Sequence, residues 1–179
     1  MTRLKPPVNS RDHFQGNEKA RIELLEFGDY QCPHCGRAYP IIKRIQQKLG
    51  NELKFFFRNF PLAEIHPNAV HAAIAAEAAS AQGKFWEMHD IIFENQSRLD
   101  DASIFRYGEK LGLNRRQFET EFQQPQYLEK VESDFESGVR SGVNGTPTFF
   151  TNGVKYDGVW EEDELLDHLK SKIMNLMTP

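Results

Sequence analysis

The two cysteines of this 179-residue chain lie three positions apart in the stretch EFGDYQCPHCGRAYP. Pro33 suits the first turn of a helix, where its missing N–H costs no hydrogen bond, so Cys32 is predicted at a helix N-terminus. Unpaired amide N–H groups and the helix dipole favour a thiolate there, and His34 adds a donor or, when protonated, a positive charge. Cys35, one turn further on, could close a disulfide with Cys32. The spacing therefore predicts redox chemistry.

Three simpler interpretations of the cysteines compete with this one. They could be two inert buried thiols, although a proline between them at a helix start disfavours that. They could be half of a zinc site, which needs two more ligands from residues such as His66, His71 or His89. A purely structural disulfide would close too short a loop to stabilise the fold much. We otherwise expect the three histidines to cap helices or pack in the core.

Strand and helix patterns surround the cysteines on both sides. Apolar runs at 21–27 and 53–60 predict strands, and apolar residues three and four apart between 33 and 49 predict a helix between them. Strands return at 147–151 and 154–156, joined by the turn signal Asn152-Gly153, and a last helix begins near 161. Alanine-rich and leucine-rich patterns predict five helices in between, at 67–82, 84–95, 101–111, 114–123 and 125–139. The order is β-α-β, then helices, then β-β-α.

Composition limits the kinds of partner. The formal net charge is −4 and like charges form no long block, so nucleic acid is not expected as a partner. No apolar window is long enough for a membrane span, and the polar residues 1–20 predict an irregular arm without a secretory leader. The sequence as written indicates a cytoplasmic protein. A form from which a leader had been removed would look the same, which leaves a periplasmic or exported protein as the alternative.

A family resemblance rests on FGDYQCPHC, the long helical segment after it, and GVNGTPTFF near the end. This combination resembles the thioredoxin superfamily and, within it, the bacterial DsbA-like thiol:disulfide oxidoreductases. The resemblance covers about residues 13 to 172 and implies an α/β chain, a thioredoxin-like fold with an inserted all-helical domain. The expected parts are an N-terminal arm at 1–20, a thioredoxin-like domain at 21–62 and 140–179, and an inserted helical domain at 63–139.

The resemblance also implies roles for residues away from the cysteines. Base rates alone predict a trans bond before Pro147, but related enzymes carry a cis-proline loop that faces the active site. Thr146 would then pair with an extended substrate through its backbone and influence the redox properties. Family members place an acidic residue at the position of Glu26, and a buried carboxyl group there could relay a proton to or from Cys35. From the residues alone, Glu26 could equally be a solvated glutamate at a strand end.

The expected function is thiol:disulfide exchange with protein or peptide thiols, with a redox protein or glutathione as partner. Cys32, Pro33, His34 and Cys35 would form the reacting motif, and Tyr30 and Gln31 would shape its rim. No organic cofactor or metal is implied, and a monomer or weak dimer is expected. Stabilisation of the Cys32 thiolate favours an oxidant, narrowly over a reductase or isomerase. The alternatives are a glutathione-linked transferase or isomerase on the same fold, and a peptide-binding, chaperone-like module.

Overall fold

A computed structural model describes residues 2–177. The first residue of the predicted N-terminal arm and the last two residues of the predicted thioredoxin-like domain, 178 and 179, lie outside the described residues. Apart from an additional strand near the N-terminus, the strands and helices follow the predicted order, with most ends within two residues of the prediction. The strands are β1 (His13–Gly16), β2 (Ile22–Gly28), β3 (Leu53–Asn59), β4 (Thr148–Thr151) and β5 (Val154–Lys155). The helices are α1 (Pro33–Leu49), α2 (Ala69–Ala79), α3 (Phe85–Glu94), α4 (Asp101–Lys110), α5 (Arg115–Phe122), α6 (Pro125–Arg140) and α7 (Glu162–Met177).

The five described strands form one mixed sheet in the order β1-β3-β2-β4-β5. β2 and β3 are parallel and are connected by α1, whereas β1, β4 and β5 each join an antiparallel pair. The β4–β5 connection is the predicted hairpin, with Asn152 and Gly153 both at positive φ, as a tight two-residue turn requires. No helix of the described residues is long and apolar enough to cross a membrane.

Both faces of the central strand β2 are buried. Ile22 and Leu24 pack with the apolar face of α1, while Leu25 and Phe27 pack with a second cluster on the other side of the sheet. Successive side chains of a strand point to opposite faces, so Glu26 shares the α1 face with Leu24. The carboxyl end of β2 leads straight into the residues before α1. The sheet therefore fixes the position of the helix start and of the two cysteines.

The prediction of an irregular arm over residues 1–20 was wrong for residues 13–16. β1 pairs with β3 from His13↔Phe57 to Gly16↔Lys54 and forms an edge of the sheet. HFQG lacks the β-branched residues and clear alternation that predict a strand, and it is held by a partner about forty positions away. Leu4 is also buried, and its N–H donates to the Gly153 carbonyl oxygen at 2.9 Å.

A buried ionic network joins the helices inserted between β3 and β4 to the sheet. We call α2–α6, residues 69–140, the inserted helical segment. Lys130 on α6 binds both carboxylate oxygens of Asp134, at 2.6 and 2.7 Å, and lies 3.8 Å from Glu77 on α2. The Asn59 amide at the end of β3 donates to both carboxylates, and His13 on β1 bonds Glu77 at 2.7 Å. Each buried charge therefore has partners from another element.

Candidate active site

The two cysteines lie at the start of α1, at the end of the sheet where β2 finishes. Cys32 is the N-cap residue, with extended backbone angles, and Pro33 occupies the first helical turn. Both thiols are free, with Cys35 fully buried and Cys32 exposed by only 4%. Both side chains are therefore buried, but only Cys32 retains some contact with solvent, so an external sulfur can meet Cys32 before Cys35.

The pKa of Cys32 is lowered from 9.0 to about 5. The largest cause is a hydrogen bond from the Cys35 thiol, followed by one from Thr146 and by the backbone N–H groups of Cys35 and His34, while burial acts in the opposite direction. The backbone donors are those that a helix start provides. The Cys35 thiol is a donor that the sequence argument did not count, and it gives the two cysteines opposite protonation preferences.

Cys35 stays a thiol. Burial raises its pKa well above the ordinary value, and the hydrogen bond to Cys32 and the charges of Glu26 and Cys32 act in the same direction. The backbone N–H of Asp29 lies 3.4 Å from the Cys35 sulfur and opposes this effect. A proton must therefore leave Cys35 when a disulfide forms and return to it when the disulfide opens.

Glu26 is buried beneath the cysteines rather than solvated at the strand end. Its exposed fraction is 3%, and its Oε1 atom has no hydrogen-bond partner among the described residues. Burial, with a smaller contribution from the Cys32 charge, raises the pKa of Glu26 from 4.5 to about 8. Near neutral pH this carboxyl group is mostly protonated. It can thus hold a proton close to Cys35, as the proton relay expected for a buried Glu26 requires.

The loop before β4 faces the nucleophile. The peptide bond between Thr146 and Pro147 is cis, and the Cys32 sulfur lies 3.5 Å from the Thr146 carbonyl oxygen. The Thr146 hydroxyl is buried and has no hydrogen-bond partner among residues 2–177. The carbonyl oxygen of Thr146 can only accept a hydrogen bond from the Cys32 thiol. The hydroxyl of Thr146 can donate one to the Cys32 thiolate, so it is the hydroxyl that accounts for the lowered pKa of Cys32.

His34 contributes to the site through its backbone more than through its side chain. The ring is exposed, and its Nδ1 lies 3.2 Å from the guanidinium of Arg37, which can only donate. Arg37 in turn lies over the Trp160 ring, 5.4 Å from the ring centroid. The positive side chain on this rim is therefore Arg37, which the sequence argument did not single out, with Trp160 beneath it.

Tyr30 does not lie at the rim of the cysteine motif, where the sequence predicted it. Its side chain is 1% exposed, and its hydroxyl bonds the buried His89 ring at 3.0 Å. An aromatic residue next to a cysteine motif gives no sign of which way it points, and the cluster of Phe57 and Phe93 around it explains the burial. Gln31 is half-buried, and its side-chain oxygen accepts the Asn68 N–H at 2.8 Å.

Asp29 supports the residues before α1 and was missed at the sequence level. One carboxylate oxygen accepts the N–H groups of Gln31 and Cys32, at 2.8 and 3.2 Å. The other accepts the Leu62 N–H and bonds the His66 ring, at 2.8 and 2.7 Å. A conventional turn signal, Gly28-Asp29 at the end of a strand, could have indicated this role.

The histidines that a zinc site would need lie apart. His66 bonds Asp29, His71 bonds the exposed Asp101, and His89 is buried against Tyr30. Within residues 2–177 no three side chains of histidine, cysteine, aspartate or glutamate are grouped so that they could hold a metal ion. The arrangement around the cysteines is one of thiols, backbone donors and the buried carboxyl groups of Glu26 and Asp29.

Comparison with known proteins gives a family and a set of relatives. The family model described as thioredoxin matches residues 8–171. A curated relative, the Na(+)/H(+) antiporter NhaA 1 of Mycobacterium sp. (strain KMS), is 36% identical over 173 residues. The match takes in 96% of this chain but only 28% of the antiporter, so the chain spans little more than a quarter of that relative's length.

Solved structures share the fold. BdbD from Bacillus subtilis, in its oxidised form, has a TM-score of 0.84 and 20% identity, with 97% of this chain and 98% of BdbD covered. The thiol-disulfide exchange protein alpha-DsbA2 from Wolbachia pipientis has a TM-score of 0.82 and 20% identity, with 92% and 88% covered. The predicted fold class, a thioredoxin-like fold with helices inserted between its two halves, is thereby confirmed.

Proposed function

Because this chain belongs to the thioredoxin family and has the fold of DsbA-like proteins, we propose that it is a protein-disulfide oxidoreductase that reacts through Cys32 and Cys35. The observation that carries the proposal is the contrast between the two thiols. Cys32 ionises with a pKa of about 5, while Cys35 beside it keeps its proton. A pair of this kind supplies one nucleophile or leaving group and one resolving thiol.

The proposed reaction oxidises a substrate dithiol. A substrate thiolate attacks the Cys32 sulfur of the Cys32–Cys35 disulfide, a mixed disulfide forms, and Cys35 leaves as a thiolate that takes up a proton. The second substrate thiolate then attacks the substrate sulfur of the mixed disulfide, and Cys32 leaves as a stable thiolate. The substrate loses two electrons and gains a disulfide, and the enzyme gains the two electrons as its reduced pair. Glu26 supplies the proton to Cys35.

The acidity of Cys32 sets the favoured direction. At pH 7 a cysteine with a pKa near 5 is almost entirely thiolate, whereas one near 9 is almost entirely thiol. The lower pKa therefore favours the reduced protein, by up to about 100-fold in the equilibrium constant for reduction of its disulfide. For a two-electron couple, that factor raises the reduction potential by about 60 mV at most, and screening by water at the rim reduces the effect. The proposed role is therefore oxidant in preference to reductase or isomerase.

An oxidant accumulates as the disulfide only where the surrounding thiol pool does not reduce it. Cytosolic glutathione and thioredoxin keep most thiols reduced, so this proposal favours the periplasmic or exported alternative over the cytoplasmic one. The proposed substrates are protein or peptide chains with paired thiols. An extended chain could pair with the backbone of Thr146 beside Cys32, and Arg37 and Trp160 would line the approach.

Replacement of single cysteines tests the proposal. Cys32→Ser should abolish both dithiol oxidation and insulin reduction, because the remaining thiol, Cys35, is fully buried and has no second cysteine with which to form a disulfide. Cys35→Ser should instead leave Cys32 able to attack a peptide disulfide, and the resulting mixed disulfide with the peptide, which Cys35 can no longer resolve, should accumulate and be visible by mass. Unchanged exchange rates in Cys32→Ser would refute the assignment. A wild-type protein that binds unfolded chains but exchanges no disulfide would favour the chaperone-like module.

A further inference from the structure

Gln96, which follows α3 in the inserted helical segment, reaches across to the backbone beside the nucleophile. Its side-chain amide nitrogen donates to the Tyr30 carbonyl oxygen at 2.8 Å and to the Cys32 carbonyl oxygen at 2.9 Å. Both hydrogens of one amide group are thus used on two carbonyls that flank the same short segment. The thioredoxin-like half of the chain contributes neither of these donors.

The Cys32 carbonyl is an unusually constrained group. It also accepts the Gly36 N–H at 3.0 Å, the first hydrogen bond of α1, so both lone pairs of this oxygen are engaged. A peptide plane that is held at both lone pairs cannot rotate freely. That plane leads directly into the first turn of α1, where the N–H groups of His34 and Cys35 donate to the Cys32 sulfur.

Gly36 provides the space that Gln96 occupies. A Cβ atom at Gly36 would overlap the side-chain oxygen of Gln96 and lie 2.7 Å from its amide carbon. Any other residue at this position would therefore displace the Gln96 side chain or bend the start of α1. The residue after the second cysteine and a residue sixty positions later are linked by contact, although nothing in the sequence connects them.

We propose that Gln96 is a positioning residue: it holds the peptide planes on either side of Cys32 and thereby sets how strongly the protein oxidises substrate thiols. Gln96 touches no reacting atom. It acts by keeping the backbone donors aimed at the Cys32 sulfur and by offsetting the negative end of the Cys32 carbonyl dipole close to the thiolate. The inserted helical segment thus takes part in the chemistry of the thioredoxin-like half. This inference deepens the function proposed above and rests on it.

Gln96→Met tests the inference, because methionine keeps the length and volume of the side chain but has no N–H to donate. We expect the apparent pKa of Cys32 to rise by about half a unit, which lowers the thiolate-to-thiol ratio at a fixed acidic pH about threefold. The equilibrium constant for oxidation of glutathione near neutral pH should fall by a similar factor. The pKa is read from the ultraviolet absorbance of the thiolate, and the equilibrium from a glutathione buffer series.

Gln82→Met is the matched control. Gln82 also lies in the inserted helical segment and also clasps backbone groups, with its amide nitrogen 3.2 Å from the Asn114 carbonyl oxygen and its side-chain oxygen 2.8 Å from the Asn114 N–H. Its replacement should affect thermal stability as Gln96→Met does, yet leave the Cys32 pKa unchanged. If Gln96→Met lowers the melting temperature but moves neither the pKa nor the glutathione equilibrium, the role of Gln96 is structural only and the inference is wrong.

A double-mutant cycle with Gly36→Ala gives a second readout. In the wild-type background the new methyl group should push Gln96 away and raise the Cys32 pKa. In a Gln96→Ala background there is no side chain to displace, so Gly36→Ala should add little. Additive effects would overturn the inference. Thiolate titration needs no enzymatic activity, so this result stands even if the exchange assays with Cys32→Ser reject the proposed oxidoreductase.

Discussion

Replacement of Glu26 by glutamine should change how the stability of the protein depends on pH. Glu26 is buried beneath the cysteines, and its pKa is raised from 4.5 to about 8, chiefly by burial. Below pH 4.5 this carboxyl group is protonated in both folded and unfolded chains and contributes no pH dependence. Between pH 4.5 and 8 the unfolded chain ionises while the folded chain keeps its proton, so wild-type stability falls as the pH rises.

The expected magnitude follows from the pKa values. One pH unit corresponds to about 1.4 kcal/mol for one proton. The Glu26 carboxyl group therefore costs about 3 kcal/mol of folding free energy at pH 7 and about 5 kcal/mol above pH 8. Glu26→Gln cannot ionise, so its stability relative to wild type should rise by that amount between acidic and basic pH. Its acidic baseline should lie about 1 kcal/mol below wild type, because the new amide needs partners in a buried site.

Urea unfolding at a series of pH values between 4 and 9 measures this difference. The reduced form should be used first, because the pKa of about 8 belongs to the protein with free thiols; in the disulfide form the Cys32 charge is absent, so the difference should be smaller. Glu23→Gln on the same strand is the matched control, since Glu23 is half-buried and lies 3.4 Å from Lys54. If the difference between Glu26→Gln and wild type stays constant over this range, Glu26 ionises like a solvated glutamate. The proposed proton relay to Cys35 would then have no basis.

Two further predictions concern the loop that faces Cys32 and the ionic network under the inserted helical segment. Thr146→Val removes the hydroxyl that can donate to the Cys32 thiolate, so the Cys32 pKa should rise and the equilibrium with glutathione should shift towards the protein disulfide. The control Thr148→Val, two residues further on, should change neither quantity. Lys130→Met leaves Glu77 and Asp134 buried without their cation and should lower the free energy of unfolding in urea by about 3 kcal/mol. Lys48→Met, which breaks an exposed ion pair with Glu162, should cost much less than Lys130→Met. Equal losses would show that burial adds nothing to the Lys130 network.

Local patterns predicted the regular elements of this chain well. The helix at 33–49 and the hairpin around Asn152-Gly153 were found where apolar spacing and turn residues placed them. Both signals depend only on neighbouring residues. β1 has no such signal, because its hydrogen-bonding partner is a strand far along the chain. The edge of the sheet therefore could not be predicted from the residues that form it.

The candidate site was predicted only in part, for related reasons. The cysteine motif and its helix start are local, so the nucleophile could be located. The burial of Glu26 depends on the helix packed above it, and sequence alone left its environment open. Tyr30 was placed at the rim because it is adjacent to the motif, but an aromatic cluster draws it into the core. Gln96 reaches the site from another part of the fold and leaves no pattern in the sequence.

The acidity of the Cys32 thiol is the property on which the proposed function depends most. A titration of the ultraviolet thiolate absorbance in the reduced protein, with Cys32→Ser as the blank, measures it directly. The structure predicts a single ionisation with a pKa of about 5. A value near 9, that of an unperturbed cysteine, would mean that the donors around Cys32 do not stabilise the thiolate, and the oxidant role would have to be given up.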